Sequence, residues 1–222
     1  MNTLIVVVKN PIAGAVKTRL QTRYTPTQAA ELYTAFVKDT LDTVRSIDID
    51  MRVIAYDPPD AEGAVRSRFG NEWNYVAQVQ EDLGQRMYQA LLNQLKSGAQ
   101  NVIVLGTDIP SLPASHITQA FEELQKNDIV LGPSTDGGYY LVGLSRPCPE
   151  IFANINWSTP TVFSETIDAI QKHTYTLGLV PPWFDVDTPE ELDILVAHAK
   201  AQTTATQAPC IPHTISCLSS LT

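Results

Sequence analysis

Four short segments carry residues that could do chemistry. The first, Lys9-Asn10-Pro11-Ile12-Ala13-Gly14-Ala15-Val16-Lys17-Thr18-Arg19-Leu20, sets two cations, Lys17 and Arg19, in one loop with backbone amides around Gly14. A polyphosphate is held by that combination of a point charge, a planar fork of donors and amides that can turn inward. Val16 stands where a P-loop has glycine before Lys-Thr, and one glycine does not make a dinucleotide loop. The same residues also suit an ordinary turn with solvated charges. As exposed cations, Lys17 and Arg19 are expected to add almost nothing to folding stability.

The second segment is Gly106-Thr107-Asp108-Ile109-Pro110-Ser111-Leu112, directly after an apolar β-rich run. A carboxylate at a strand's carboxyl end faces the ligand crevice of an α/β sheet, and a hard divalent cation uses such a group together with waters and phosphate oxygens. A turn-forming role suits Asp108 equally. The third segment, Asp136-Gly137-Gly138-Tyr139, is a turn signal that also lets backbone approach a ligand closely. In the fourth, Asp185-Val186-Asp187-Thr188-Pro189-Glu190-Glu191-Leu192, a capping box explains Thr188, Pro189 and Glu191. Asp185 and Asp187 fall outside the box, point to one side of an extended segment, and could complete a metal site with Asp108. Held close with no cation between them, Asp108 and Asp187 are expected to strain the metal-free protein. Trp157-Ser158-Thr159-Pro160 opens a helix, and capping accounts for Ser158 or Thr159.

The elements that must position these residues alternate. Strands are expected at Leu4–Val8, Arg52–Tyr56, Tyr75–Val79, Val102–Leu105, Asp128–Leu131 and Tyr139–Leu144, from short β-branched runs bounded by turn residues. Helices are expected from Thr27 to about Arg45 and over Asp82–Lys96, Ser115–Lys126, Pro160–His173 and Thr188–Lys200, with apolar residues every three or four positions. An extended stretch runs from His173 to Val180. The alternation predicts a three-layer α/β/α domain over residues 1–200, with a central, mostly parallel sheet. From Ala201 the chain has no Asp, Glu, Lys or Arg, so 201–222 reads as a polar tail, partly disordered.

Composition narrows the function. The chain has 222 residues and a net charge of −9, which disfavours nucleic acid as a partner. No apolar run approaches the roughly 20 residues of a membrane helix, and Leu4–Val8 is too short for a signal peptide. Cys148, Cys210 and Cys217 make neither a CxxC pair nor a disulfide frame, so a reducing cytoplasm is expected.

Together the four segments resemble the nucleotide-diphospho-sugar transferase superfamily with its GT-A fold. They are more closely similar to a small bacterial family of "glycosyltransferase A" proteins, some associated with radical-SAM or arsenosugar clusters. That family's pattern is K-x-P-x-x-G-x-x-K-T-R-L, G-T-D-x-P-x-L, D-G-G-Y and D-x-D-T-P-E-D-L, and the chain departs from the last only at Glu191. The match spans roughly residues 3 to 200. The resemblance implies that Lys17 and Arg19 grip a nucleotide's phosphates as catalytic groups with Asp108. Pro11, Gly14, Thr18, Thr107, Asp82 and Gly84 would complete the nucleotide site. Asp136, Gly137, Gly138, Tyr139, Trp157, Ser158 and Thr159 would face a small-molecule acceptor. Mg2+ or Mn2+ would sit on Asp108 with Asp187, or with Asp185 in reserve.

Three activities fit. One is glycosyl transfer from a nucleotide-sugar, the first expectation on family naming. The second is nucleotidyl transfer from a nucleoside triphosphate to a phosphorylated small molecule, because Gly106-Thr107-Asp108 lacks the Asp-x-Asp usual in GT-A glycosyltransferases. The third is a non-catalytic nucleotide-binding relative, against which Lys17, Arg19, Asp108 and Asp187 count together.

Overall fold

The computed structural model describes residues 1–79 and 81–221. Among the described residues, seven strands form one sheet: β1 Asn2–Lys9, β2 Met51–Asp57, β3 Asn74–Ala77, β4 Asn101–Leu105, β5 Ile129–Pro133, β6 Tyr139–Leu144 and β7 Leu177–Leu179. Their spatial order is β3-β2-β1-β4-β6-β5-β7. Every pairing is parallel except those of β6, which runs antiparallel to β4 and β5. The helices are α1 Pro26–Arg45, α2 Glu62–Phe69, α3 Leu83–Lys96, α4 Ala114–Leu124, α5 Val162–Lys172, α6 Pro189–Thr206 and α7 Pro212–Leu221.

The period-2 alternation of the strands divides the core into two layers. Leu4, Val6 and Val8 of β1 pack on Tyr33, Val37 and Leu41 of α1 and share that layer with Ile117 and Phe121 of α4. Ile5 faces the other way, into the layer of Leu91 from α3 and Ile170 from α5. The expected three-layer architecture is therefore the one observed. No helix among the described residues is long and apolar enough to cross a membrane.

The chain departs from the sequence expectation at three places. Helix α2 is additional; its eight residues include Gly63, Arg66 and Arg68, and only Val65 and Phe69 are buried. The helix expected from Pro160 begins at Val162, with Thr161 as its cap, so neither Ser158 nor Thr159 caps it. The segment from Ala201 is no loose tail up to Leu221. Helix α6 continues to Thr206, and α7 packs on the outer face of α1 in a third cluster with Ala29, Leu32, Phe36 and Ile211. The Asp39 carboxylate of α1 accepts hydrogen bonds from the backbone N–H groups of His213 and Thr214, both 2.9 Å, and from the Thr214 hydroxyl at 2.6 Å. These donors lie at the first turn of α7, so a distant side chain does the work of a cap.

Candidate functional site

The carboxyl ends of β1 and β4 lie side by side, because the two strands pair in parallel. The loop after β1 enters a short 3-10 helix, Thr18–Thr22, whose Leu20 is fully buried against α1 and α6. That anchor, with buried Val16, turns Lys17 inward. Lys17 adopts a left-handed backbone (φ 45°), a conformation that costs a non-glycine residue energy and persists only where surrounding contacts impose it.

Those contacts are ionic. The Lys17 ammonium is bonded to Asp108 Oδ1, to Asp187 Oδ1 at 2.8 Å and to the Val186 carbonyl at 2.6 Å. Its side chain is only 3% exposed, while those of Asp108 and Asp187 are 49% and 32% exposed. Burial alone would pull the Lys17 pKa down, but the two carboxylates outweigh it and hold the pKa above its ordinary value. The expectation of an exposed, energetically idle Lys17 is thus corrected, and so is that of two unrelieved carboxylates. Arg19 does stay open, 74% exposed and 3.6 Å from Asp187 Oδ2.

The fourth segment is fixed from both ends. The Val186 N–H donates to the Asp108 carbonyl at 2.8 Å, and Val186 is fully buried. The capping box of α6 forms as expected, and Glu191 Oε2 also accepts the Asp187 N–H at 2.7 Å. Asp187 is thereby held at Lys17. Asp185 lies on the same cleft but accepts from the Ser134 hydroxyl at 2.9 Å, not from Lys17. Burial, with Asp136 and Asp187 nearby, raises its pKa against the help of Ser134.

Two clefts meet at this ion cluster. One, of about 500 Å3, is lined by Lys9, Lys17, Thr18, Arg19, Tyr33, Gln78, Arg86, Met87 and Thr107 among others. The other, of about 510 Å3, takes in Ser134, Asp136, Gly138, Tyr139, Trp157, Ser158, Thr159 and Asp185. Arg19, Leu83, Gly106, Asp108, Ser158 and Asp187 belong to both.

Of the expected nucleotide residues, Lys17, Thr18, Arg19 and Thr107 line the first cleft, whereas Pro11, Gly14, Asp82 and Gly84 line neither. Pro11 is buried and Gly14 lies out on the loop. Asp82 caps α3, accepting the Gln85 N–H at 2.9 Å. Gly84 lies beneath the Trp157 indole, where an added Cβ would fall 2.5 Å from the ring. Of the expected acceptor residues, only Gly137 is absent from the second cleft's lining. Its φ of 91° and its approach to the Pro160 carbonyl, 2.2 Å from where a Cβ would stand, make it a packing glycine.

Sequence reading missed Lys9, Tyr33, Gln78 and Arg86. Tyr33 bridges the Lys9 N–H (3.0 Å) and the Thr107 hydroxyl (3.1 Å), and burial followed by Asp108 pushes its pKa up to about 12. Arg86 is bonded to Gln78 Oε1 at 3.0 Å and to Asp57 at 3.1 Å. Its only sequence signal was its place on the first turn of the helix whose Asp82 and Gly84 the resemblance puts at the nucleotide.

Asp108 and Asp187 already converge on one cation, the Lys17 ammonium, and are the pair that could hold a divalent ion. Among the described residues no third His, Cys, Asp or Glu joins them. A metal there would take its remaining ligands from water and phosphate, the habit of Mg2+.

A family model described as "Uncharacterized protein conserved in bacteria (DUF2064)" matches residues 40–159. The chain is 24% identical over 201 residues to a 2-phospho-L-lactate guanylyltransferase of Methanocaldococcus infernus, covering 89% of this chain and 85% of that protein. It is 31% identical to a solved candidate nucleotide-diphospho-sugar transferase of Desulfovibrio desulfuricans G20, with a TM-score of 0.89, covering 97% of this chain and 94% of that one. The same fold recurs at 12% identity and TM-score 0.58 in a CMP:2-keto-3-deoxy-manno-octonic acid synthetase complexed with CTP, over 90% of this chain and 99% of that one. It also recurs, at 18% identity and TM-score 0.55, in a manganese complex of a Mycobacterium tuberculosis H37Rv protein, over 88% of this chain and 98% of the other.

Proposed function

The chain belongs to the DUF2064 family and has the nucleotide-diphospho-sugar transferase fold, and we propose that it is a divalent-metal-dependent nucleotidyltransferase. The observation that carries this reading is the division of charge across the ion cluster. Lys9, Lys17, Arg19 and Arg86 line one cleft against Asp108 and Asp187, and that surplus of cations suits a triphosphate. The relative named as a guanylyltransferase supports nucleotidyl transfer above the glycosyl transfer expected first, as does the lone carboxylate at the end of β4. Glycosyl transfer stays the second reading, on the strength of the Desulfovibrio neighbour's description.

In this reading an acceptor oxygen, that of a phosphorylated small molecule, enters from the second cleft and attacks the α-phosphorus. A new P–O bond forms, the bond to the bridging β-oxygen breaks, and pyrophosphate leaves with the electron pair. Arg19, open to both clefts, holds the phosphate chain in line. Lys17, once exchanged from its carboxylates, balances charge on the leaving group. Asp108 and Asp187 would hold Mg2+ or Mn2+, which neutralises charge on the phosphates when bound. Thr18 and Thr107 border the nucleotide; Tyr139, Trp157 and Thr159 border the acceptor.

A thermal-shift panel of nucleoside triphosphates and nucleotide-sugars, each with Mg2+ or Mn2+, tests the reading. A ligand at 100 times its Kd adds about 2.7 kcal/mol. The proposal expects a triphosphate with metal to give the largest shift. A shift confined to nucleotide-sugars overturns it in favour of the second reading.

A further inference from the structure

The second cleft differs from the first in the sign of its unmatched charge. Its lining includes Asp108, Asp136, Asp185 and Asp187 against a single cation, Arg19. Asp108 and Asp187 share Lys17 as ion-pair partner, and Asp187 also has Arg19. Asp136 and Asp185 have no ion-pair partner among the described residues. Asp185 Oδ1 accepts from the Ser134 hydroxyl at 2.9 Å, and Asp136 Oδ1 accepts from the Gly138 N–H at 2.8 Å. Both are neutral donors, so neither carboxylate is met by a cation on this wall.

The same cleft also has an aromatic lining, built to stay in place. The Trp157 indole stacks at 20° on Phe152, meets Tyr139 edge-on at 6.3 Å and rests on the bare Cα of Gly84. A cleft lined by both an aromatic surface and carboxylates without ion-pair partners suits an ammonium group, through charge and ring quadrupole together. The same carboxylates repel another carboxylate.

Resting on the assignment of this cleft to the acceptor, we infer that the acceptor carries an amine. It is a small zwitterion whose ammonium lies between Trp157 and the Asp136–Asp185 wall, with its phosphate toward Arg19. Acceptors with a carboxylate in that place are excluded. The nucleophile is the phosphate oxygen, so the amine is recognised, not consumed, and no proton need leave it.

Three phosphomonoesters of similar size serve as probes: phosphoethanolamine, glycerol 2-phosphate and 3-phosphoglycerate. Each is titrated into the full chain by calorimetry, with Mg2+, first without nucleotide and then with the nucleotide that gave the largest thermal shift. Phosphoethanolamine is expected to bind at least about tenfold more tightly than 3-phosphoglycerate, with glycerol 2-phosphate between them. Asp136→Asn and Asp185→Asn, checked for unchanged circular dichroism, should each shrink that ratio several-fold. Equal or tighter binding of 3-phosphoglycerate overturns the inference. So does no measurable binding of phosphoethanolamine, or a preference that survives both substitutions. The order without nucleotide reports on the cleft alone, so the expected order in a protein that binds no nucleoside triphosphate defeats the nucleotidyl reading and leaves this inference standing, whereas a reversed order in a protein that binds one defeats only this inference.

Discussion

Lys17 Nζ lies 2.8 Å from Asp187 Oδ1 across 170 residues of sequence, and the same ammonium is bonded to Asp108. The cation that the sequence offers for phosphate thus sits on the carboxylates it offers for metal. Both roles are compatible if metal and ammonium exchange places as nucleotide arrives.

Lys17→Met should therefore destabilise the metal-free protein. Removing one partner of a buried pair costs about 3–5 kcal/mol, and the half-exposure of Asp108 points to the lower end. Because the pKa of Lys17 is raised, the contribution is complete below about pH 10.5 and fades only as pH rises through the folded value. Urea unfolding of wild type and variant should differ by a constant amount through the neutral range. Mg2+ should narrow the gap. Coincident curves would show that the cluster contributes nothing to stability.

Gly84→Ala tests the seating of Trp157. The new Cβ meets the indole at 2.5 Å, an overpacking that costs typically 1–3 kcal/mol. The indole must shift, so acceptor-side binding should weaken more than nucleotide binding. Tryptophan fluorescence and paired titrations of the two ligand types measure both effects; equal losses on the two sides would contradict the division of the clefts.

The far edge of the sheet carries a pH prediction. Asp128 accepts from Arg146 Nε at 2.5 Å and from the Thr176 N–H at 3.0 Å, which together hold its carboxyl near about 2. The depressed pKa adds stability that is present above about pH 4 and lost as pH falls toward 2. The full shift corresponds to roughly 2 kcal/mol, reduced by the exposure of Arg146. Asp128→Asn should flatten the acid limb of the stability profile; an unchanged limb would assign acid unfolding elsewhere.

Asp39→Ala should release α7 from α1, at a cost of about 1–3 kcal/mol for the donors left unpaired. Limited proteolysis should then cut near Gln207 before the remainder unfolds. Protection equal to wild type would mean that apolar packing alone holds the helix.

The sequence makes some of this legible and hides the rest for physical reasons. The runs of β1, β2, β4 and β6 are buried on both faces and so read as continuous apolar stretches. Periodicity says nothing about the reversed direction of β6, which depends on partners far along the chain. Helix α1 shows its inner face through Tyr33, Val37 and Leu41, but Ala29, Leu32 and Phe36 were a second apolar stripe, and that stripe is the signal that something covers it. In the site, Asp108, Asp187 and Arg19 were identifiable by type and position. The burial of Lys17 was not, because it follows from carboxylates brought in by tertiary structure.

The central claim is that phosphate and acceptor clefts meet at a carboxylate pair for transfer of a nucleotidyl group. The most direct measurement is the identity of the released product. The protein is incubated with triphosphates or nucleotide-sugars, a mixture of small phosphomonoesters, and either Mg2+ or EDTA, and pyrophosphate and nucleoside diphosphate are both quantified. The account predicts pyrophosphate from a triphosphate, only with metal and acceptor, and its loss by 10²-fold or more, on the order expected for charge-stabilising groups, in Asp108→Asn. Nucleoside diphosphate released from a nucleotide-sugar, or pyrophosphate release that persists in EDTA, would contradict it.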